Sequence, residues 1–247
     1  MKWRIIELEQ RNAFMHMALD EAVSEAVAGG ANPTIRFYTW NPGAVSIGCF
    51  QSLHDEVDVE ACTNRGIDVV RRRTGGGAVY HDMNGEITYS VIASEALLPK
   101  GITESYLAIC GWVIAGLSHL GLSARFKPIN DILVGDRKIS GNAQTRRNGV
   151  VLQHGTILYD LDVHTMFSLL KVSKEKISDK MITDVRQRVT RVLDHTNVSP
   201  QEVYEALLVG FTADKEHEFG AYTSEELRRA EELAATRYAT KEWNEMR

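Results

Sequence analysis

Arg71-Arg72-Arg73-Thr74-Gly75-Gly76-Gly77-Ala78-Val79-Tyr80-His81-Asp82 brings together residue types suited to holding an anion. Three successive glycines carry no Cβ, so the backbone there can take positive φ and lie close against a ligand. Successive peptide N–H groups in such a turn form a concavity that attracts negative charge. Three arginines just upstream add cations, and a tyrosine, a histidine and an aspartate follow at once. This combination suits a phosphate-bearing ligand. A surface loop with solvated arginines is the competing reading of any glycine-rich stretch; the density of cations and the residues after the glycines weigh against it. The stretch does not match GxxxxGK[ST] and leads into a strand pattern, so neither a P-loop nor a dinucleotide-binding βαβ unit fits.

Outside this loop the strongest candidate is Lys138, between Arg137 and the small segment Ile139-Ser140-Gly141-Asn142-Ala143. A compact ammonium with open space around it suits a carboxylate or a phosphate; a solvent-facing hairpin lysine is an equal alternative. Asn130-Asp131 offers an adenine or metal contact, or simply an Asx turn. His81 and His154 lie far apart and lack a cysteine or HExxH pattern, which argues against a structural metal. A histidine beside the glycines orients a substrate or orders the loop through hydrogen bonds. Asp20-Glu21 is a candidate carboxylate pair, although carboxylates on a helix surface are usually solvated. Cys49, Cys62 and Cys110 have no neighbouring histidine or helix-start setting to activate a thiolate, and they read as packing residues.

These residues need a scaffold, and the 247 residues are enough for one large core or two small ones. A net charge of −5 implies no general attraction to nucleic acid. Three scattered cysteines make no disulfide framework. With no signal-peptide core at the start and no long apolar run, the expectation is a cytoplasmic protein without membrane spans.

Strand patterns are expected over Trp3 to Leu8, Thr34 to Trp40, Ala44 to Phe50, Ile67 to Arg71 and Gly85 to Ala93. Asn12 is placed to cap a helix ending at Gly29-Gly30, and Thr103 to cap a long apolar helix through Leu120. Asp58 to Arg65 reads as a short helix. Gly135-Asp136-Arg137 and Arg147-Asn148-Gly149 mark two hairpins, the second pairing Ala143-Gln144-Thr145 with Val150-Val151-Leu152 before the strand runs on to about Tyr159. Helices follow at Met166 to Leu170, within Val185 to Leu193, after the capping box at Ser199-Pro200-Gln201-Glu202, and after that at Thr223-Ser224-Glu225-Glu226. The three-residue turn Asn41-Pro42-Gly43 is too short for a βαβ crossover, so the sheet should be antiparallel or mixed and the class α+β.

The glycine stretch resembles the RRxSGGGAVFHD signature of lipoate–protein ligases. Asn130-Asp131-Ile132, Gly135-Asp136-Arg137-Lys138-Ile139-Ser140-Gly141 and His154-Gly155-Thr156-Ile157-Leu158 resemble further blocks of that family, as do Met17-Ala18-Leu19-Asp20-Glu21 and Ser46-Ile47-Gly48. The resemblance implies the fold shared with biotin protein ligases: a single catalytic domain over 1–247, with a mixed sheet flanked by helices. It also implies that ATP, with Mg2+, and lipoate form lipoyl-adenylate. A lysine of a lipoyl domain, in a 2-oxoacid dehydrogenase complex or the glycine cleavage H protein, then takes the acyl group. By resemblance, Arg72 meets the nucleotide phosphates, and Gly75, Gly76, Gly77, Ala78, Val79 and Tyr80 wall the adenylate. Lys138 contacts acyl carbonyl and phosphate, Asp131 assists through magnesium or the nucleotide, and His81, His154 and Gly77 face the lipoyl group. Ile47, Val79 and Ile157 are expected to line an apolar tunnel.

Two departures accompany the resemblance. The chain stops near Tyr238-Ala239-Thr240-Lys241-Glu242-Trp243-Asn244-Glu245, like a catalytic domain without its C-terminal accessory domain, so a separate accessory subunit is expected. Arg36-Phe37-Tyr38-Thr39-Trp40-Asn41-Pro42 and Gln144-Thr145-Arg146 resemble a cysteine-dependent octanoyl transferase branch. Its acyl thioester needs a nucleophilic cysteine just before the Lys138 hairpin. Phe126-Lys127-Pro128-Ile129-Asn130-Asp131 holds none, which ranks acyl transfer from a carrier or lipoyl protein second. A non-catalytic lipoyl-adenylate-binding subunit is the third reading.

Overall fold

A computed structural model of the chain describes residues 2–171 and 188–247. The main sheet has eight strands: β1 (Trp3–Arg11), β2 (Thr34–Trp40), β6 (Glu86–Ser94), β7 (Ala124–Lys127), β8 (Asp131–Val134), β9 (Arg137–Arg147), β10 (Val150–Leu158) and β11 (His217–Phe219). Their order is β11-β1-β2-β6-β10-β9-β8-β7. β1 runs parallel to both neighbours and the remaining pairs are antiparallel, so the sheet is mixed as expected. A second sheet of three short strands, β3 (Ala44–Ile47), β4 (Asp68–Arg71) and β5 (Val79–His81), has the order β4-β3-β5.

Period-two alternation on β2 sorts the two faces. Ile35 and Phe37 meet the apolar helices α4 (Ile102–His119) and α6 (Pro200–Thr212) through Ile109, Val113, Leu207 and Phe211. Full burial of apolar side chains of this size contributes about 1.5–3 kcal/mol each. Arg36, Tyr38 and Trp40 point to the other face, where α1 (Ala13–Ala28) and α7 (Ser224–Leu233) pack. The large and small sheets therefore enclose α1 between them, and the space beside it becomes the site. Among the described residues no helix is long and apolar enough to cross a membrane.

Several local expectations hold for the reasons that suggested them. The Asn12 side chain accepts from the Met15 N–H at 2.9 Å and starts α1. Asn148 and Gly149 take positive φ and close the β9–β10 hairpin with Arg147 opposite Val150. Both capping boxes form, at Ser199 and at Thr223.

Others are corrected. The strand from Ala44 ends at Ile47, because Gly48 donates to the Gln51 side chain and its carbonyl accepts from the Gln51 N–H, turning the chain. It joins the small sheet and does not pair with β2. Gly101, not Thr103, precedes the first residue of α4. In the β9–β10 ladder Thr145 faces Leu152 while Ala143 reaches as far as His154. Of the helix expected within Val185 to Leu193, residues 185–187 lie outside the described residues, and Val192–Asp194 forms one 3-10 turn.

Candidate active site

The three arginines at the end of β4 have three different tasks. Arg71 is fully buried and binds the carbonyls of Gly48, Gln51, Trp243 and Asn244, tying α8 (Lys241–Asn244) to the small sheet. Arg73 pairs with Glu21 at 2.9 Å. Arg72 turns inward under the glycines. Its Nη2 donates to the carbonyls of Gly75 and Gly77 at 2.8 and 2.7 Å, its Nη1 to Ser46 and its Nε to Thr74. All its donors are engaged within the protein. Among the described residues no carboxylate pairs with it, and burial pulls its guanidinium down to about 10.

Because Gly75 and Gly77 aim their carbonyls at Arg72, the loop is held in one peptide orientation. The N–H groups of Gly76 and Gly77 make no hydrogen bond among the described residues. Gly76 has φ +94°, and its carbonyl rests on Gly48, where an added Cβ would lie 2.1 Å away. Unpaired amides beside a buried cation make a site ready for an anion.

The loop walls a cavity of about 290 Å³. Of the expected residues, Arg72, Gly76, Gly77, Ala78, Val79, Tyr80, His81, Lys138 and His154 line it. Gly75 stands behind the wall. Asp131 also stands back and holds the Lys138 ammonium at 2.6 Å. A Cβ on Gly141 would sit 2.6 Å from Lys138 Nζ, so the glycine makes room for that head group. Thr190 fixes the Lys138 backbone by donating to its carbonyl at 2.8 Å. Ile47 and Ile157 are packed in the core and do not line the cavity. The apolar part of the wall comes instead from Met17 and Trp40 on one side and from Leu158, Leu161, Met166 and Leu170 on the other.

The carboxylate pair on α1 is buried, against expectation: Asp20 is 2% and Glu21 4% exposed. Asp20 accepts from Arg36 at 2.8 Å and meets His154 Nδ1 at 3.0 Å. Burial pushes the Asp20 carboxyl up, but the His154 hydrogen bond and the Arg36 guanidinium outweigh it and hold it down. Glu21 gathers Arg73, Arg237 and Tyr238. Thr74, His154 and Asp20 have the spacing of a nucleophile triad, with Thr74 Oγ1 2.7 Å from His154 Nε2. Thr74 is fully buried and already accepts from Arg72, so it is a strut and not a nucleophile.

Sequence reasoning missed Ser46, Thr74, Tyr38 and Asn142 as site residues. Alternation along β2 was the available signal for Tyr38, two residues before Trp40. Asn142 is fixed by the Tyr89 hydroxyl at 2.6 Å and by Asn130 across the strand. Among the described residues no group of three or more His, Cys, Asp or Glu is placed to hold a metal ion.

Burial pushes His16 well below the usual histidine range and lowers His154 too, despite the Asp20 carboxylate beside the latter. Both stay neutral in the folded protein, whereas the unfolded chain takes up their protons as pH falls below about 6.5. Their contribution to stability is complete above that pH and is lost as pH falls toward the folded values. Urea unfolding should show a decline of up to about 1.4 kcal/mol per pH unit per histidine below pH 6.5. A midpoint that stays constant from pH 7.5 to 5.5 would contradict this.

Known proteins resemble this chain over nearly its whole length. Residues 12–212 match the family model described as lipoyl protein ligase A/B catalytic domain. An octanoyltransferase LipM of Brevibacillus brevis is 40% identical, with 98% of each chain covered. That of Geobacillus kaustophilus is 38% identical over 98% of this chain and 97% of the other. Among solved structures, a bi-partite lipoate protein ligase of Thermoplasma acidophilum superposes with a TM-score of 0.89 at 37% identity, covering 99% of this chain and 96% of the other. A lipoate-protein ligase A solved with ATP bound gives 0.86 at 34%, covering 99% and 98%. The chain belongs to the lipoyl protein ligase A/B catalytic-domain family, whose enzymes transfer lipoyl and octanoyl groups.

Proposed function

We propose that the protein is an ATP-dependent lipoate–protein ligase. The observation that carries this reading is the placement of its thiols. A carrier-dependent transferase of the cysteine type must hold the acyl group as a thioester next to Lys138. Cys49, Cys62 and Cys110 are all buried, and none lines the cavity. Burial raises the thiol of Cys62 to about 11 and that of Cys110 to about 12, the reverse of activation. The walls instead offer free amides, a buried cation and an ammonium, which suit an acyl phosphate anhydride.

In this reading the lipoate carboxylate attacks the α-phosphorus of ATP and pyrophosphate leaves. The ε-amine of the acceptor lysine then attacks the acyl carbonyl, loses a proton, and AMP leaves. Lys138 lies where it can balance charge on the acyl oxygen and the phosphate in both steps. Gly76 and Gly77 offer their amides to phosphate oxygens, while Ala78, Val79 and Tyr80 wall the adenylate. His81 and His154 close the acyl side. Mg2+ would arrive with the triphosphate, and Asp131, beside Lys138, would be the carboxylate to share it. The acceptor is a lipoyl domain and the reaction uses a separate accessory subunit, in line with the bi-partite ligase and E2 lipoyl domain described for Thermoplasma acidophilum. The whole chain then acts as one catalytic domain.

The names of the curated relatives favour a second reading, octanoyl transfer from a carrier without ATP. Intact-mass measurement of a lipoyl domain separates the two. With ATP, Mg2+ and lipoate, and the accessory subunit where one is needed, the acceptor should gain a lipoyl mass, and omission of ATP should abolish the gain. Transfer from an octanoyl carrier without ATP would replace the ligase reading with the second.

A further inference from the structure

Arg72 is the end point of two separate chains of the same composition. In one, Glu86 Oε1 meets His81 Nδ1 at 2.6 Å, His81 Nε2 meets Ser46 Oγ at 2.8 Å, and Arg72 Nη1 donates to Ser46 Oγ at 3.1 Å. In the other, Asp20 Oδ2 meets His154 Nδ1 at 3.0 Å, His154 Nε2 meets Thr74 Oγ1 at 2.7 Å, and Arg72 Nε donates to Thr74 Oγ1 at 3.1 Å. Each is a carboxylate, an imidazole and a hydroxyl in series, and every member is buried. The two chains come from different elements: β3, β5 and β6 supply the first, α1, β10 and the glycine loop the second.

Hydrogen-bond bookkeeping fixes the direction of both. An ionised carboxylate only accepts, so in each chain Nδ1 carries the hydrogen that faces it, and a neutral ring leaves Nε2 as an acceptor. Each hydroxyl therefore gives its hydrogen to Nε2 while its oxygen accepts from Arg72, which has only donors. A carboxylate placed directly on a buried guanidinium would cancel its charge at short range. An imidazole and a hydroxyl between them hold the guanidinium rigidly and keep the negative charge two side chains away. Arg72 thus fixes the Gly75 and Gly77 carbonyls while its own charge stays available to the cavity.

We propose that His81 and His154 are positioning residues that act through Ser46 and Thr74 to hold Arg72, and with it the glycine loop, as an anion site whose counter-charge is supplied by the ligand's phosphate. This deepens the reading above, on which it rests for the identity of the phosphate. The ligand-side chemistry is that of a polyphosphate or acyl phosphate.

Thr74 provides the sharpest test, because it is fully buried and does not line the cavity. Thr74→Val keeps the shape and removes the link. Calorimetry with inorganic pyrophosphate should show binding weakened about tenfold or more, the loss expected for a hydrogen bond to a charged group. Ser46→Ala should do the same through the other chain. His154→Phe on top of Thr74→Val should add little, since both cut one chain, whereas Ser46→Ala on top of Thr74→Val should multiply the loss. His154→Gln, which keeps an acceptor near the Nε2 position, should recover most of the affinity that His154→Phe loses. In wild-type protein labelled with 15N at histidine, both rings should be Nδ1–H tautomers, and pyrophosphate should shift both Nε2 signals together. That readout does not depend on the variants folding. Unchanged pyrophosphate affinity in folded Thr74→Val, or Nε2–H tautomers, would overturn the proposal. Should pyrophosphate bind as described while ATP drives no acylation, the positioning device stands and the ligase reading falls.

Discussion

Lys138→Ala should lower the rate of acyl transfer to a lipoyl domain by about 10²–10³-fold and leave the fold intact. The size follows from where the ammonium sits. It lines the cavity opposite the glycine loop, in space kept open by Gly141, and Asp131 fixes it at 2.6 Å. Charge that develops on the acyl oxygen and the phosphate meets a cation already in place, and loss of one such preorganised donor costs rates of this order. Stability should hardly change. Lysine and aspartate are 37% and 30% exposed, so their ion pair is partly screened by water and contributes little to folding. Lys138→Arg should not restore the rate, because a planar fork cannot occupy the compact position of an ammonium. Single-turnover kinetics beside thermal unfolding would check both halves. Turnover retained in the alanine variant would remove Lys138 from the reaction.

Much of this site was legible before the structure because its parts announce themselves chemically. Two capping boxes each have one dominant physical reason to occur, whereas the three glycines and the lysine among small residues each admit a solvated-surface reading that only the cavity excludes. The mixed character of the sheet follows from alternation and short turns, whereas its edge strands β7 and β11 carry no such signal. The small sheet was less legible. Ala44 to Phe50 reads as one strand, and the turn that ends it at Ile47 is made by hydrogen bonds between Gly48 and Gln51 that no strand pattern reports. The roles of the arginines were hidden for a related reason. Arg71, Arg72 and Arg73 are adjacent in sequence, yet beyond the nearby Thr74, Gly75 and Gly77 that Arg72 binds, their partners lie at Asn244, Ser46 and Glu21, and no local pattern reports partners so distant. Asp20 and Glu21 carried the same ambiguity. A carboxylate on a helix usually faces water, and here a buried Arg36 and a partly buried Arg73 reverse that by supplying cations.

Gly48→Ala should reduce kcat/KM by about 100-fold while costing about 1–3 kcal/mol of stability. The new Cβ would meet the Gly76 carbonyl oxygen at 2.1 Å and the Gly75 and Gly76 carbonyl carbons at 3.1 Å. All three are backbone atoms, so no side chain can rotate away to relieve the contact. Either the end of β3 or the glycine loop must move. The end of β3 is held because Arg71 donates to the Gly48 carbonyl and Gly48 itself donates to Gln51. The loop is held through Gly75 and Gly77 by Arg72, so its displacement would also disturb the amides that face the cavity. A misplacement of about 1 Å in such a wall is enough for the stated loss. Gly66→Ala serves as the control. Gly66 has φ +64° and open space around it, so alanine there should cost about 1–2 kcal/mol through backbone strain alone and leave the kinetics of transfer unchanged. If Gly48→Ala and Gly66→Ala are equally destabilised and equally active, the seating of the loop on β3 has no part in the reaction. If only the first loses activity, the contact between two glycines sets the geometry in which the anion is held.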